Sequence, residues 1–237
     1  MKKIKIIQLI IYGLFLSIFF FACGEEEKPD LVPKDGDANI LSETETITVD
    51  SVKVTVSSDA WTGDPEIKKK VTPLMLSIEN ENEQPIQVTY DNISLVSEDG
   101  DVYHGLPAYD VKDEIENMIL ADTNALVVES KIDYERFYLY PLYNPIYTDM
   151  PLAESEFYEK PGYYKEYYKR WPGDDLPTEE IKNKALPEGI LTKGGTLSGF
   201  VYFEKVDPDL ETVTFKTNLI NAETNQIFGT VELPFWV

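Results

Sequence analysis

Apolar side chains recur at every second position through two stretches of this 237-residue chain, about 46–103 and 191–237. Val52, Val54 and Val56 share one face of Ser51–Ser57, and Leu74, Leu76 and Ile78 share one face of Thr72–Glu79. After a turn at Glu83-Gln84-Pro85 the pattern resumes with Ile86, Val88 and Tyr90, then Ile93 and Leu95. Glu98-Asp99-Gly100-Asp101 reads as a second turn, leading into Val102 and Tyr103. Beyond the Gly194-Gly195 turn, Leu197, Val201 and Phe203 share a face with Gly199 between them. Val213, Phe215 and Leu219 follow, and then Ile227, Val231, Leu233 and Phe235 after the polar connection Asn221–Gln226. Side chains alternate across a strand, so period two predicts strands with one face buried. Short strands at regular spacing, without helices between them, predict a mainly β chain folded as an antiparallel β-sandwich. Pro234 fits an edge, where a missing backbone donor is tolerated.

The middle of the chain, about 104–190, breaks this grammar. Ten of the 15 tyrosines lie between Tyr134 and Tyr168, and seven of the 15 prolines between Pro141 and Pro187. Val111, Ile115, Met118 and Ile119 have helical spacing in Asp110–Leu120, while Ala125–Val128 and Phe137–Tyr140 have strand character. Tyr163, Tyr164, Tyr167, Tyr168 and Trp171 form a broad aromatic stripe if helical, and Thr178 followed by Glu179 and Glu180 reads as a helix start. With few aliphatic residues to build its own core, this region reads as a tyrosine- and proline-rich, partly helical insertion that wraps back over the sandwich.

At the amino terminus, Met1-Lys2-Lys3-Ile4-Lys5 precedes an almost unbroken apolar run from Ile6 to Ala22, which ends at the chain's single cysteine, Cys23. A basic start, an apolar centre and a small residue before a break make an export signal over 1–22. The competing reading is an uncleaved anchor, since the run is near the lower limit for spanning a bilayer. Phe20-Phe21-Ala22-Cys23-Gly24 resembles the lipobox of bacterial lipoproteins, departing from it at Phe20, where that family usually has an aliphatic residue. The resemblance implies cleavage before Cys23, a diacylglycerol on its sulfur and a further acyl chain such as palmitate on its nitrogen. At about 0.8 kcal/mol per buried CH₂, two or three chains hold a protein on the bilayer. Gly24 resembles the outer-membrane address of such proteins, and Glu25-Glu26-Glu27 the acidic run that sends some to the cell surface. Residues 23–45, rich in acids and interrupted by Pro29 and Pro33, are expected to be an acidic flexible tether reaching about 25 Å, with the folded body at 46–237.

The body carries a second resemblance. Val71-Thr72-Pro73-Leu74-Met75-Leu76-Ser77-Ile78-Glu79-Asn80 with Tyr90, Leu95, Asp99-Gly100 and Tyr103 is similar to immunoglobulin-like domains of bacterial lipoproteins of unknown function. The late block Leu191-Thr192-Lys193-Gly194-Gly195 and Gly199-Phe200-Val201-Tyr202-Phe203 belongs to the same likeness. It implies an immunoglobulin-like β-sandwich and transfers no catalytic residue.

Chemistry is constrained by what the chain contains. With 21 basic and 43 acidic side chains, a net charge of −22 argues against a nucleic-acid partner, which would be repelled. One cysteine and one histidine, His104, leave no disulfide, thiolate cluster or multi-histidine site. His104 sits in Tyr103-His104-Gly105-Leu106-Pro107 without a local nucleophile, and reads as a surface or half-buried loop residue. No EF-hand loop, P-loop or dinucleotide fingerprint occurs, and Asp99-Gly100-Asp101, Asp207-Pro208-Asp209 and Gly173-Asp174-Asp175 read as solvated turns. The expectation is therefore a non-catalytic envelope lipoprotein without a cofactor, held to the bilayer through Cys23, with an envelope protein or a glycan as partner. Its candidate interaction surface is Tyr138, Tyr140, Tyr143, Tyr147, Tyr163, Tyr164, Tyr167, Tyr168 and Trp171. Tyrosine suits such a surface because its ring buries area while its hydroxyl stays hydrated; the competing reading is that these rings pack the insertion down onto the sandwich. Trp61 and Trp236 are expected to be packing residues.

Overall fold

The computed structural model describes residues 31–34, 44–109, 130–140, 150–153 and 161–237. The predicted helix at 110–120 and strand at 125–128 lie outside them, as do Cys23, Tyr143 and Tyr147. The described chain is mainly β, with a large antiparallel sheet system. Its elements in order are β1 (Val32–Pro33), β2 (Thr44–Val49), β3 (Val52–Ser57), α1 (Pro65–Lys70), β4 (Val71–Asn80), β5 (Ile86–Val88), β6 (Ile93–Ser97) and β7 (Val102–Leu106). Then come β8 (Lys131–Ile132), β9 (Phe137–Leu139), α2 (Pro161–Tyr168), α3 (Glu179–Lys184), β10 (Gly189–Leu191), β11 (Gly195–Glu204), β12 (Thr212–Asn221) and β13 (Ile227–Trp236).

Pairing divides the strands into two groups. In one, β2, β3, β4 and β11 lie side by side, with Leu197 opposite Ile78 and Val201 opposite Leu74. In the other, β1, β13, β12, β6 and β7 are neighbours, and β5, β10 and β9 continue from the far end of β12. Strand β7 belongs to both: His104 pairs opposite Ser94 of β6, while Gly105 and Leu106 pair with Phe203 and Tyr202 of β11. The alternating apolar residues of both groups enter one hydrophobic cluster, including Val54, Leu76 and Val201 from one and Leu95, Phe215 and Leu233 from the other. Burial of that alternating face is what sets the register, since a one-residue slip would turn each strand's apolar set outward.

Local chemistry sets the helix boundaries. Asp64 accepts from the Glu66 backbone N–H and Pro65 occupies the first turn, which starts α1; three lysines end it. Thr178 caps α3 by accepting from the Ile181 N–H, as the sequence pattern predicts. Pro234 presents its carbonyl to Lys34 N–H beside β1, so its missing donor also faces away from β12. The alternation of Ile86, Val88 and Tyr90 is cut short: β5 stops at Val88, and Tyr90 opens a short 3₁₀ turn with its ring buried.

Two expected boundaries differ from the structure. The tether over 23–45 is not wholly free: Leu31 has no exposed surface, its carbonyl accepts from Ser58 Oγ at 2.6 Å, and Val32 and Pro33 pair opposite Trp236 and Phe235. Strand β2 also begins at Thr44, inside that stretch. The insertion begins later than 104, because His104 lies in β7 rather than in a loop. Phe137, Leu139, Trp171, Ile181 and Leu186 from the insertion join the same apolar cluster as the sandwich strands. Apolar area removed from water there stabilises the body at about 25 cal/mol per Å².

Candidate functional site

The tyrosine-rich region converges on one buried carboxylate. Glu188 precedes β10 and is 1% exposed. Its Oε1 accepts from the Tyr90 backbone N–H at 2.7 Å, and its Oε2 accepts from the Tyr164 hydroxyl of α2 at 2.6 Å. The Tyr140 N–H donates to the Glu188 carbonyl, tying the end of β9 to the same point. Glycine at 189 is required for this approach: a Cβ there would lie 2.3 Å from the Tyr138 carbonyl oxygen. Burial first, and the Glu188 carboxylate second, push the Tyr140, Tyr163 and Tyr164 phenols above their ordinary range. All three stay protonated at neutral pH, which lets Tyr163 and Tyr164 donate.

Around this point the aromatic side chains pack on the sandwich. Tyr163 donates to the Gly105 carbonyl at 2.6 Å, and its ring meets Tyr164 edge-on and Tyr167 at 4.5 Å. Arg170 stacks 4.4 Å from the Tyr167 ring and pairs with Glu166 and Glu204. Trp171 donates to the Pro107 carbonyl at 2.8 Å and packs against Tyr202, which also meets Trp61. Trp61 is interior, as expected, with its indole N–H on the Asp64 carbonyl.

The nine aromatic residues expected to form a surface therefore separate. Tyr138 is exposed on β9, Tyr163, Tyr167 and Tyr168 are half-buried, and Tyr143 and Tyr147 lie outside the described residues. Tyr140, Tyr164 and Trp171 are interior and offer no ring to a partner: Tyr140 ends β9 beside Glu188, and Tyr164 and Trp171 lie on the core side of the aromatic stripe. Two residues without a sequence signal of their own, Tyr134 and Leu152, are exposed beside Tyr138's segment; Leu152 bridges to Leu139. Trp236 also departs from expectation. It stands exposed at the end of β13, with the Lys34 ammonium 4.7 Å from its ring centroid.

His104 packs its ring 4.7 Å from Tyr167, and burial together with the Arg170 charge lowers its pKa. Its Nδ1 has no hydrogen-bond partner among the described residues. Among those residues no group of three His, Cys, Asp or Glu side chains is placed to hold a metal, and no helix is long and apolar enough to cross a membrane. A cleft of about 290 Å³ opens on the β4–β11 face, lined by the hydroxyls of Thr62, Ser77, Ser130 and Ser198 and by Lys131 and Lys184. Its lining mixes the polar residues with the apolar Ala60, Met75 and Phe200, and the Lys184 ammonium is itself paired with Glu180 at 2.8 Å and lies over the Trp61 ring.

Comparison with known proteins finds no matching family model, no matching curated protein and no matching solved structure.

Proposed function

We propose that this chain is a lipid-anchored envelope protein whose immunoglobulin-like sandwich acts as a non-catalytic interaction module. The observation that carries the interaction reading is the exposure of Tyr138 on β9, at the outer end of the β5–β10–β9 run, with Tyr134 exposed four residues before it. A partner gains by covering such side chains, and aromatic residues are the usual energetic centres of interfaces. The paired antiparallel groups with one shared core support the immunoglobulin-like assignment, and the Lys2-to-Cys23 pattern supports the anchor. Outer-membrane residence rests on Gly24 alone.

The test is crosslinking in living cells with a tagged full-length chain, alongside Tyr138→Asp and Cys23→Ala variants. An envelope protein captured by the parent and lost with Tyr138→Asp supports the module. Identical capture by parent and Tyr138→Asp refutes the assigned surface. Loss of metabolic acyl labelling in Cys23→Ala tests the anchor independently. A second reading, capture of a small polyol or glycan, is favoured by the hydroxyl- and lysine-lined cleft rather than by the tyrosines. Glycan binding that disappears in Ser198→Val would select it.

A further inference from the structure

We infer that the β1–β13 end of the sandwich is the membrane-facing end, seated on the lipid surface through Trp236 and its neighbours. This rests on the proposed acylation of Cys23. Only residues 24–30 separate Cys23 from Leu31, and Leu31 is fixed in the core with Ser58 on its carbonyl. Even fully extended, the eight steps from Cys23 to Leu31 span about 28 Å. Strand β1 runs antiparallel to β13, with Val32 opposite Trp236, so Leu31, the described residue nearest Cys23, lies at the Trp236–Val237 end of β13. The opposite end of β13, at Ile227, is about 30 Å further away along the strand.

The end brought to the lipid has suitable chemistry. Trp236 and Val237 are exposed, and Lys34 lies over the indole. On the same outer face, Pro234, Thr214, Val96 and Val102 form one register row across four strands. A tryptophan beside a lysine suits the boundary between head groups and acyl chains. This patch is too small to hold a free protein on a membrane. A short covalent leash raises its effective concentration enough for a weak contact to be occupied. Acidic turns at Glu98–Asp101 and Asp207–Glu211 border the same end, with Glu98 bonded to the Glu211 and Thr212 N–H groups. The surface it fits is therefore zwitterionic lipid, not an anionic bilayer.

Tryptophan fluorescence reads this directly. Of the three tryptophans, Trp61 and Trp171 are 6% and 7% exposed, whereas Trp236 is 43% exposed. The acylated full-length protein is reconstituted into phosphatidylcholine vesicles with brominated acyl chains, and the attached acyl groups are checked by mass spectrometry. The expected result is at least a twofold loss of the exposed-tryptophan emission, absent in Trp236→Phe and weaker in vesicles containing phosphatidylglycerol at low salt. A reporter at the far end, Ile227→Trp in the Trp236→Phe background, should stay unquenched by bromolipid and open to aqueous iodide. If the acylated protein floats with vesicles but Trp236 stays open to iodide and unquenched by bromolipid, the orientation is wrong and the anchor stands. If the protein carries no acyl group and does not float, the anchor reading fails and the orientation falls with it.

Discussion

Replacing Glu188 should be the most damaging single change to the tyrosine-rich region. The carboxylate is interior and accepts from Tyr90 N–H at 2.7 Å and from Tyr164 O–H at 2.6 Å. Glu188→Ala leaves both donors without this acceptor, at about 1–3 kcal/mol each, so about 2–6 kcal/mol before any cavity cost. That is a large share of the roughly 5–15 kcal/mol by which a domain is stable. Glu188→Gln is milder. Its amide oxygen can serve Tyr90 N–H while its NH₂ donates to the Tyr164 oxygen, so the loss is the charge-assisted part, about 1–2 kcal/mol. Tyr164→Phe removes one donor and should cost about 1.5–3 kcal/mol. The double variant, Tyr164→Phe with Glu188→Gln, should depart from additivity by about 0.5 kcal/mol or more, because the two groups share one bond. Urea unfolding followed by tryptophan emission and by circular dichroism measures the parent and all four variants. Emission from Trp171 reports the insertion, and ellipticity reports the sheets. Should Glu188→Ala stay within about 0.5 kcal/mol of the parent, or the cycle prove additive, the carboxylate is not the point that fastens the insertion.

The raised phenols make stability fall at alkaline pH. Tyr140 and Tyr164 have folded-state values above the ordinary 10.0, so the unfolded chain loses those protons first; their contribution is intact below pH 10 and is lost as pH rises beyond it. Tyr163 is raised by the same causes, so the slope above that point should approach about 4.1 kcal/mol per pH unit for the three groups, and phenolate absorbance should show them ionising only with unfolding. At Gly199, a Cβ would stand 2.8 Å from the Leu186 Cα and 2.9 Å from its nitrogen. Gly199→Ala should therefore separate the 185–186 segment from β11, seen as faster hydrogen exchange at Leu186 N–H, whose partner is the Phe200 carbonyl.

What was legible in the sequence was whatever the environment writes locally. Strands β3, β4, β6, β11, β12 and β13 each have a buried face, and that asymmetry appears as period two in their own residues. The Thr178 cap was legible because an N-cap and its first turn lie within a few positions. Glu188 was not. It is one of 43 acids, in the unmarked run Pro187-Glu188-Gly189, and its role depends on Tyr90 and Tyr164 arriving from 98 and 24 residues away. Leu31 was hidden in the same way, since a single leucine among acids and prolines reads as tether until β13, two hundred positions later, supplies its neighbour strand. The stripe from Tyr163 to Trp171 indicated a helix but carried no sign of which side would meet the core.

The abundance of tyrosine over phenylalanine in this chain has a physical reason in the structure. From the last turn of α3 to β10 the backbone crosses the sandwich largely outside any ladder, so its carbonyls need donors that a sheet or a continuing helix would otherwise provide. Aromatic side chains supply them. Tyr202 reaches the Ile181 carbonyl, Tyr109 that of Lys182 and Tyr90 that of Leu186, at 3.2, 2.8 and 2.7 Å. Tyr163 does the same for Gly105 near the end of β7, and Trp171 for Pro107 just beyond it. A phenylalanine at position 90 would fill the same volume and leave the Leu186 carbonyl without its side-chain donor, at about 1–3 kcal/mol. Tyrosine lets one side chain both thicken the core and satisfy irregular backbone, which is why an insertion poor in aliphatic residues can be held down by rings. Those rings are spent on packing, and among the described tyrosines it is the outward-facing Tyr134 and Tyr138, not the buried Tyr90, Tyr109, Tyr140, Tyr164 and Tyr202, that are left to meet another molecule.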